Sequence, residues 1–399
     1  MRKPLYPWDQ GYYPEVNDGG YYLRRNIITG WDGSGFRAKI NFQNLDGSQS
    51  WAFDSIADPY ELYQALDLFR DKFLLTAEKL TFPQETARTI FEITQLRKAP
   101  KLSDNNGVYF RPFKETPARE IISMRDLTKD EKKMPFVHAF DKRMMFLSAA
   151  RNVHVGEFEY AEIEKPKLSD IPKNAAGIVD AEVKFPDPVI SGLYEDKGRF
   201  WLPTLRLFAE NPQTIIKIKK AWIWNDTQRL FEKFAKRIGD VIKDLRGSDL
   251  PEYQAANKAA KECYVKFFGW LGRECGCDYC GGRSAEMNGC KINGWSGPLY
   301  RPDWRGMIIS EAYANLLRNV IEVRTKFGGL QPFAIDHDCL MYFSNYRDPM
   351  FEFRGSPLMD PNRFTHEWTL PGELVRKAIK DGFGPGKIDG LGKSEGLAE

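Results

Sequence analysis

Apolar and polar residues alternate with two different periods along this chain, and the changes of period mark its elements. ADPYELYQALDLFRDKFL (57–74), capped near Asp58, and PQETARTIFEITQLRK (83–98) carry the helical period. Ahead of them RAKINFQNLDGSQSWAFDS (37–55) reads as a hairpin turning at Asp46-Gly47, and residues 1–20, rich in Tyr, Pro and Gly, read as irregular. The first 100 residues thus read as a small α/β or α+β unit, and MRDLTKDEKK (124–133) as a solvated linker. FVHAFDKRMMFLSAA (136–150) begins a β-rich region, with Asp141 at the end of its strand. GIVDAEVKFP, GRFWLPTLRLF and TIIKIKKAWIW continue it to residue 224. The period then returns to helical. NDTQRLFEKFAKRIGDVIKDL (225–245) and EYQAANKAAKECYVKFFGWLG (252–272), joined by RGSDLP, predict an antiparallel helical hairpin. RPDWRGMIISEAYANLLRNVIEVRTKF (301–327) predicts a further helix that ends at Gly328-Gly329.

That helix feeds PFAIDHDCLMYFS (332–344), where Asp336 and Asp338 interrupt an apolar run with the composition of a buried strand. One continuous strand would place both carboxylates on the same face, about 6–7 Å apart. Burying two like charges there is costly unless something neutralises them. With Asp141, which ends another β run, they form three carboxylates suited to Mg²⁺ or Mn²⁺. Asp-x-Asp alone is equally the mark of a turn or a paired surface strand; the apolar flanks favour the buried reading.

Composition bounds this picture without deciding it. The chain has 399 residues, 42% of them apolar and 14% aromatic, as expected of a globular protein of two or three domains. A formal net charge of +3 says little about partners, so any basic footprint must be local. One exists: residues 217–246 hold nine Lys/Arg against four acids, and Arg229, Lys233 and Lys236/Arg237 share one face at helical spacing. Such a face is ordinarily just solvated, but opposite a metal site it would suit a triphosphate. No apolar run reaches the length of a membrane span, and MRKPLYPWDQGYY has no signal-peptide core; a cytoplasmic protein is expected.

In chain order these segments resemble a family B DNA polymerase of the viral, organellar and protein-primed branch. D141-K-R-M-M-F146-L is similar to the family's first palm motif, D-x-x-S-L-Y-P. K261-E-C-Y-V265-K-F-F268-G269 is similar to its fingers motif, K-x-x-x-N-S-x-Y-G, with Val265 in place of Asn. A334-I-D336-H-D338-C339 is similar to its last palm motif, Y-x-D-T-D-S, and GFGPGKIDGLG (382–392) to its G-K-x-K stretch. The resemblance implies an α+β fold: a palm of antiparallel sheet backed by helices, a two-helix fingers hairpin and a small α/β N-terminal domain. It implies an N-terminal module over 1–130, palm over 131–224 and 301–350, fingers over 225–272, a Cys- and Gly-rich insertion over 273–300 and a short thumb-like region over 351–399.

The same resemblance implies a DNA polymerase extending a primer by two-metal-ion nucleotidyl transfer. Asp141 and Asp338 would bind two Mg²⁺ or Mn²⁺ ions, with Asp336 assisting. Lys261, and Arg229 or Lys233, would contact the phosphates of the incoming dNTP, and Phe146 and Phe268 would border its pocket. Lys387 would contact the primer terminus. Its partners would be primer-template DNA and dNTPs, and the resemblance allows a terminal protein, a helicase or another replication protein. No Asp-x-Glu marks a proofreading 3′–5′ exonuclease in the N-terminal region; W31-D32-G-S34 lacks the Glu. The alternative function is a polymerase-derived nucleic-acid-binding or replication-accessory protein with weak or no catalysis.

Two clusters stand apart from these motifs. Cys275, Cys277, Cys280 and Cys290, spaced C-x-C-x-x-C-x9-C, lie in a Gly-rich loop. They admit three readings: a structural Zn²⁺ site, free or redox-active thiols, or disulfides. Trp304, Arg301 and Arg305, with Trp295 and Tyr300, read either as a packed helix entry or as a template contact by stacking and phosphate binding.

Overall fold

The computed structural model describes residues 59–75, 83–95, 111–116, 118, 120–157, 159–272 and 301–395. The hairpin expected over 37–55, the cap at Asp58, W31-D32-G-S34, Trp295 and Tyr300 lie outside the described residues. So do Cys275, Cys277, Cys280 and Cys290, and with them the expected Zn²⁺ site.

Two helices come first, α1 (Pro59–Phe73) and α2 (Pro83–Gln95), followed by the short α3 (Arg111–Lys114). Then come β1 (Ile122–Met124), β2 (Phe136–Lys142) and α4 (Met145–Asn152). The strands β3 (Val155–Gly156), β4 (Tyr160–Glu164) and β5 (Gly177–Lys184) lead to α5 (Pro188–Leu193), β6 (Lys197–Trp201) and α6 (Leu202–Ala209). After β7 (Ile215–Trp224) and β8 (Thr227–Gln228) come three long helices: α7 (Glu232–Leu245), α8 (Pro251–Leu271) and α9 (Pro302–Lys326). The chain closes with β9 (Ala334–Asp336), β10 (Cys339–Ser344), α10 (Met350–Phe353), β11 (Phe364–Pro371), α11 (Gly372–Lys380) and α12 (Pro385–Glu395). Among the described residues no helix is long and apolar enough to cross a membrane.

These elements divide into two compact units. The first takes residues 1–110 and 229–305, the second 111–228 and 306–399. In the first, α1 and α2 pack on α8, and α2 also meets α7. An aromatic core holds them together: Phe91 of α2 lies 5.3 Å from Phe231, 5.9 Å from Phe234 and 5.8 Å from Phe267, ring centre to ring centre. The described part of the N-terminal module expected over 1–130 is therefore divided: α1 and α2 pack on the helical hairpin, whereas α3 and β1 belong to the second unit, β1 pairing with β9.

The second unit is built on antiparallel sheets. A five-stranded sheet runs β1-β9-β10-β2-β11 and a four-stranded sheet β4-β7-β5-β6. The larger carries the carboxylates. Val137, Ala139, Cys339, Met341, Trp368 and Leu370 make one side of that sheet, covered by Val375, Ala378 and Ile388 from α11 and α12, and His138, Phe140, Leu340 and Tyr342 on its other side are buried as well.

Three expectations are corrected here. PFAIDHDCLMYFS is two strands and a two-residue turn, with Asp336 paired to Cys339 and His337-Asp338 between them. GRFWLPTLRLF starts as β6 and becomes α6 at Leu202, and its strand belongs to the four-stranded sheet rather than to the sheet of Asp141. Residues 351–399, expected as a thumb-like region, give β11 to the five-stranded sheet, paired with β2. The stretch 124–133 is mostly solvated, yet Glu131 is buried and receives the Arg125 guanidinium at 2.6 and 2.8 Å.

Candidate functional site

Cross-strand register assembles the site. Asp336 pairs with Cys339, Cys339 with Asp141, and Asp141 with Thr365, so one row of side chains crosses four strands on a single face. Asp338 sits in the turn beside this row, and its carbonyl accepts the Lys142 backbone N–H at 2.8 Å. That bond ties the β9–β10 turn to the end of β2. His337 takes a left-handed conformation (φ 55°), which the tight turn demands and which a non-glycine residue adopts at some cost.

Asp141 and Asp338 meet closely enough for their carboxyls to hydrogen-bond when one is protonated. Burial pushes Asp141 up to about 7, and the Asp338 and Glu367 charges add to it. Asp338 is raised as well, chiefly by burial. The opposing cation is Lys393 of α12, which is paired with Asp389 at 2.5 Å. Asp389 also accepts the Trp368 indole N–H at 3.0 Å, and the Cys339 thiol at 3.8 Å.

Asp336 is engaged differently. Its Oδ1 lies 3.0 Å from His337 Nδ1, and its carboxylate faces Gly386 in the first turn of α12. A Cβ on Gly386 would come within 3.3 Å of Asp336 Oδ2, so the missing side chain lets helix and carboxylate approach. Among the described residues no three His, Cys, Asp or Glu side chains gather in a geometry that could hold a metal ion. The expected convergence of three carboxylates is thus a pair, Asp141 and Asp338, with Asp336 directed to the helix. The pair itself suits a hard divalent cation: two oxygen donors whose mutual repulsion and burial such a charge would relieve.

Other expected site residues fall in several settings. Phe146 is half-buried, edge-on to Tyr313 of α9 at 6.3 Å, and the Tyr313 hydroxyl lies within range of the Asp338 charge. Lys387 is exposed in the first turn of α12, its ammonium 5.5 Å from the Phe383 ring centre. Lys261, Arg229, Lys233, Phe268, Arg301, Trp304 and Arg305 all belong to the first unit. The candidate Zn²⁺ ligands Cys275, Cys277, Cys280 and Cys290 are not among the described residues, whose own cysteines, Cys263 and Cys339, are buried thiols outside any disulfide.

Several of these expectations are corrected. Arg229 precedes α7, which starts at Glu232, so it does not share a helical face with Lys233. Phe268 is 5% exposed and packed against Phe231 and Tyr264, so it is core rather than the edge of a pocket. Arg301 and Trp304 are each 1% exposed. The Arg301 guanidinium stacks 3.8 Å over Trp304 and binds Asp303 through two hydrogen bonds of 2.9 and 2.7 Å. Their donors and faces are consumed inside the protein, which makes them a packed helix entry and not a template contact. Arg305 is half-buried, its side chain against Gly272.

Glu367, Asp389 and Lys393 were not foreseen. Glu367 is the extra residue of a β-bulge, where pairing shifts between His366 and Trp368, and the bulge brings its charge toward Asp141. No sequence signal marks such a bulge. Asp389 and Lys393 stand four apart on α12, an i,i+4 pair that reads as a surface bridge until the helix is docked.

Among solved structures, the chain is similar to phi29 DNA polymerase complexed with primer-template DNA in a post-translocation binary complex. That match has a TM-score of 0.49 and 14% identity over 78% of this chain and 55% of the other. It is also similar to phi29 DNA polymerase complexed with single-stranded DNA, with a TM-score of 0.48 and 14% identity over 77% and 55% of the two chains. The chain therefore spans a little over half the length of these polymerases. No family model and no curated protein sequence matches it.

Proposed function

We propose that this chain is a DNA polymerase that extends a primer by nucleotidyl transfer at Asp141 and Asp338, without 3′–5′ proofreading. One observation carries the reading: two half-buried carboxyls, far apart in sequence, are brought together at one end of an antiparallel sheet with raised proton affinity. A protein gains nothing in stability from such a pair, so its presence is explained by what the pair can bind. Asp141 and Asp338 would hold Mg²⁺ or Mn²⁺, which would lower the pKa of the primer hydroxyl and stabilise the leaving pyrophosphate. The chain's own contribution is geometric. The Lys142–Asp338 backbone bond fixes the turn against β2, and Asp389, held by Trp368, fixes Lys393 as a cation facing the pair. Primer-template DNA and dNTPs are the proposed substrates, and Lys261, Lys233, Arg229 and Lys387 the proposed cationic contacts.

The second reading, a polymerase-derived nucleic-acid-binding or replication-accessory protein, is favoured by the finding that two carboxylates meet where three were expected. Primer extension with each dNTP and with Mg²⁺ or Mn²⁺ separates the two. Asp141→Ala and Asp338→Ala should each abolish incorporation while DNA binding and the circular-dichroism spectrum persist. Undiminished synthesis by both variants would refute the polymerase assignment, and binding without synthesis by the wild type would favour the accessory reading. Synthesis without template would point to terminal transfer, and synthesis without primer to a primase.

A further inference from the structure

β2 ends at Lys142, but its ladder runs one bond further: the Arg143 backbone N–H gives to the Arg363 carbonyl at 3.0 Å. Alternation then returns Arg143 to the face of Asp141 and sends Lys142 to the other. The side chains agree. Arg143 Nε donates to Thr365 Oγ1 at 2.6 Å, and Thr365 is the residue opposite Asp141 in the row that crosses the sheet. Lys142 lies over the Phe364 ring at 4.6 Å, among the charges of Arg363, Asp360 and Glu322.

Arg143 is half-buried, and the bond to Thr365 is the one its guanidinium makes; among the described residues no carboxylate lies within ion-pair distance of it. The other described arginines of this unit that are half-buried are used differently. Arg125, Arg318 and Arg324 each hold a carboxylate, at 2.6, 2.7 and 2.8 Å, and Arg206 and Arg376 each reach two backbone carbonyls. An arginine's planar fork fits an oxyanion through two parallel hydrogen bonds. With Nε committed to Thr365, the plane is fixed and its outer edge, Nη1 and Nη2, is left for a ligand.

Acids stand at the same end of the sheet, namely Asp141, Asp338 and Glu367, yet none pairs with Arg143, and the cation opposing Asp141 is Lys393. Asp141 and Asp338 are the proposed ligands of a divalent ion, so their charge goes to that ion and not to the guanidinium. We propose that Arg143 is a phosphate-binding residue of this site, its outer fork taking two oxygens of one substrate phosphate. That phosphate belongs either to the triphosphate of the incoming nucleotide or to the terminal phosphodiester of the primer. The inference rests on the polymerase reading of Asp141 and Asp338 and adds to it a substrate contact that no motif of the resemblance supplies.

The test measures two equilibria on the full chain with a 3′-dideoxy-terminated primer, so that no transfer occurs. One is primer-template binding, read by fluorescence anisotropy; the other is dATP binding to the preformed complex opposite a template T, read by calorimetry. Arg143→Gln should weaken one of them by about tenfold or more, and the one it weakens names the phosphate. Arg143→Lys keeps the charge without the fork and should recover only part of the loss. Thr365→Val frees the guanidinium and should weaken the same equilibrium several-fold; these two variants decide the matter if Arg143→Gln misfolds. Both affinities unchanged in Arg143→Gln, wild-type binding by Arg143→Lys, or a wild type that binds neither probe would each overturn the inference. Incorporation by the wild type with both affinities unchanged in Arg143→Gln refutes this inference alone. Binding that depends on Arg143, without incorporation, refutes the polymerase reading and leaves the phosphate contact standing.

Discussion

Asp141 is a carboxylate that the fold holds at a cost. Its proton affinity is raised to about 7 from an ordinary 3.8, first by burial and then by Asp338. Below pH 3.8 the group is neutral in both folded and unfolded chains. Between 3.8 and 7 the unfolded chain gives up the proton while the folded chain retains it, so stability falls as pH rises, and above 7 the full cost is present. In EDTA at pH 8, Asp141→Asn should therefore melt several degrees above wild type, with the gap closing by pH 4; a variant that melts lower at pH 8 contradicts the electrostatics. His138, on the same strand, tilts the other way. It is fully buried, bonded to Thr369 Oγ1 at 2.9 Å and the Tyr346 carbonyl at 3.0 Å, and burial lowers its pKa to about 4. Its stability is complete above pH 6.5 and is lost as pH falls from there toward 4. His138→Gln should flatten that acid limb in urea titrations run from pH 7 to 4, and an unchanged slope would contradict it. At this scale Asp141 and Asp338 were legible, because acids in apolar runs advertise a cost. Glu367, Asp389 and Lys393 were not, because a bulge and a docked helix bring them to the site.

At the scale of elements, α2 and α7 were legible because their apolar residues recur on one face, and α8 and α9, whose apolar residues spread around the helix, through their uninterrupted length between breakers. The misread segments share one cause. Between residues 198 and 208 the chain stays apolar while its backbone turns from strand to helix, and no periodicity distinguishes a short buried strand from a buried helix. In 332–344 the turn carries no glycine; His337 supplies the positive φ instead, and the apolar flanks disguise two strands as one. The docking of α12 is equally specific. Gly392 lies against the Trp368 ring with no room for a Cβ, and the same ring donates to Asp389. Gly392→Ala should cost about 1–3 kcal/mol through overpacking, read as a lower urea midpoint, with impaired incorporation as Lys393 is displaced. A wild-type midpoint would show that α12 is not seated on Trp368. In the first unit, Phe267→Ala should cost about 3–5 kcal/mol, because its ring meets Phe91, Phe231 and Phe234.

At the scale of the molecule, chain order carries the proposed function and little of the architecture. The motifs at 141, 261 and 336–338 appear in the order that the polymerase resemblance requires. Yet α1 and α2 join the helical hairpin, and the C-terminal strand β11 joins the sheet of Asp141. These are long-range pairings, chosen by complementary packing surfaces that a one-dimensional period does not record. The central claim is that Asp141 and Asp338 act as one site for nucleotidyl transfer. Its most direct test is single-turnover incorporation of one dNTP on a primer-template with Mn²⁺, comparing wild type with Asp338→Asn at matched DNA occupancy. The carboxamide keeps the turn and the Lys142 bond but removes the charge, so the rate should fall by at least a thousandfold, about 4 kcal/mol of barrier. A rate within a few-fold of wild type would contradict the account.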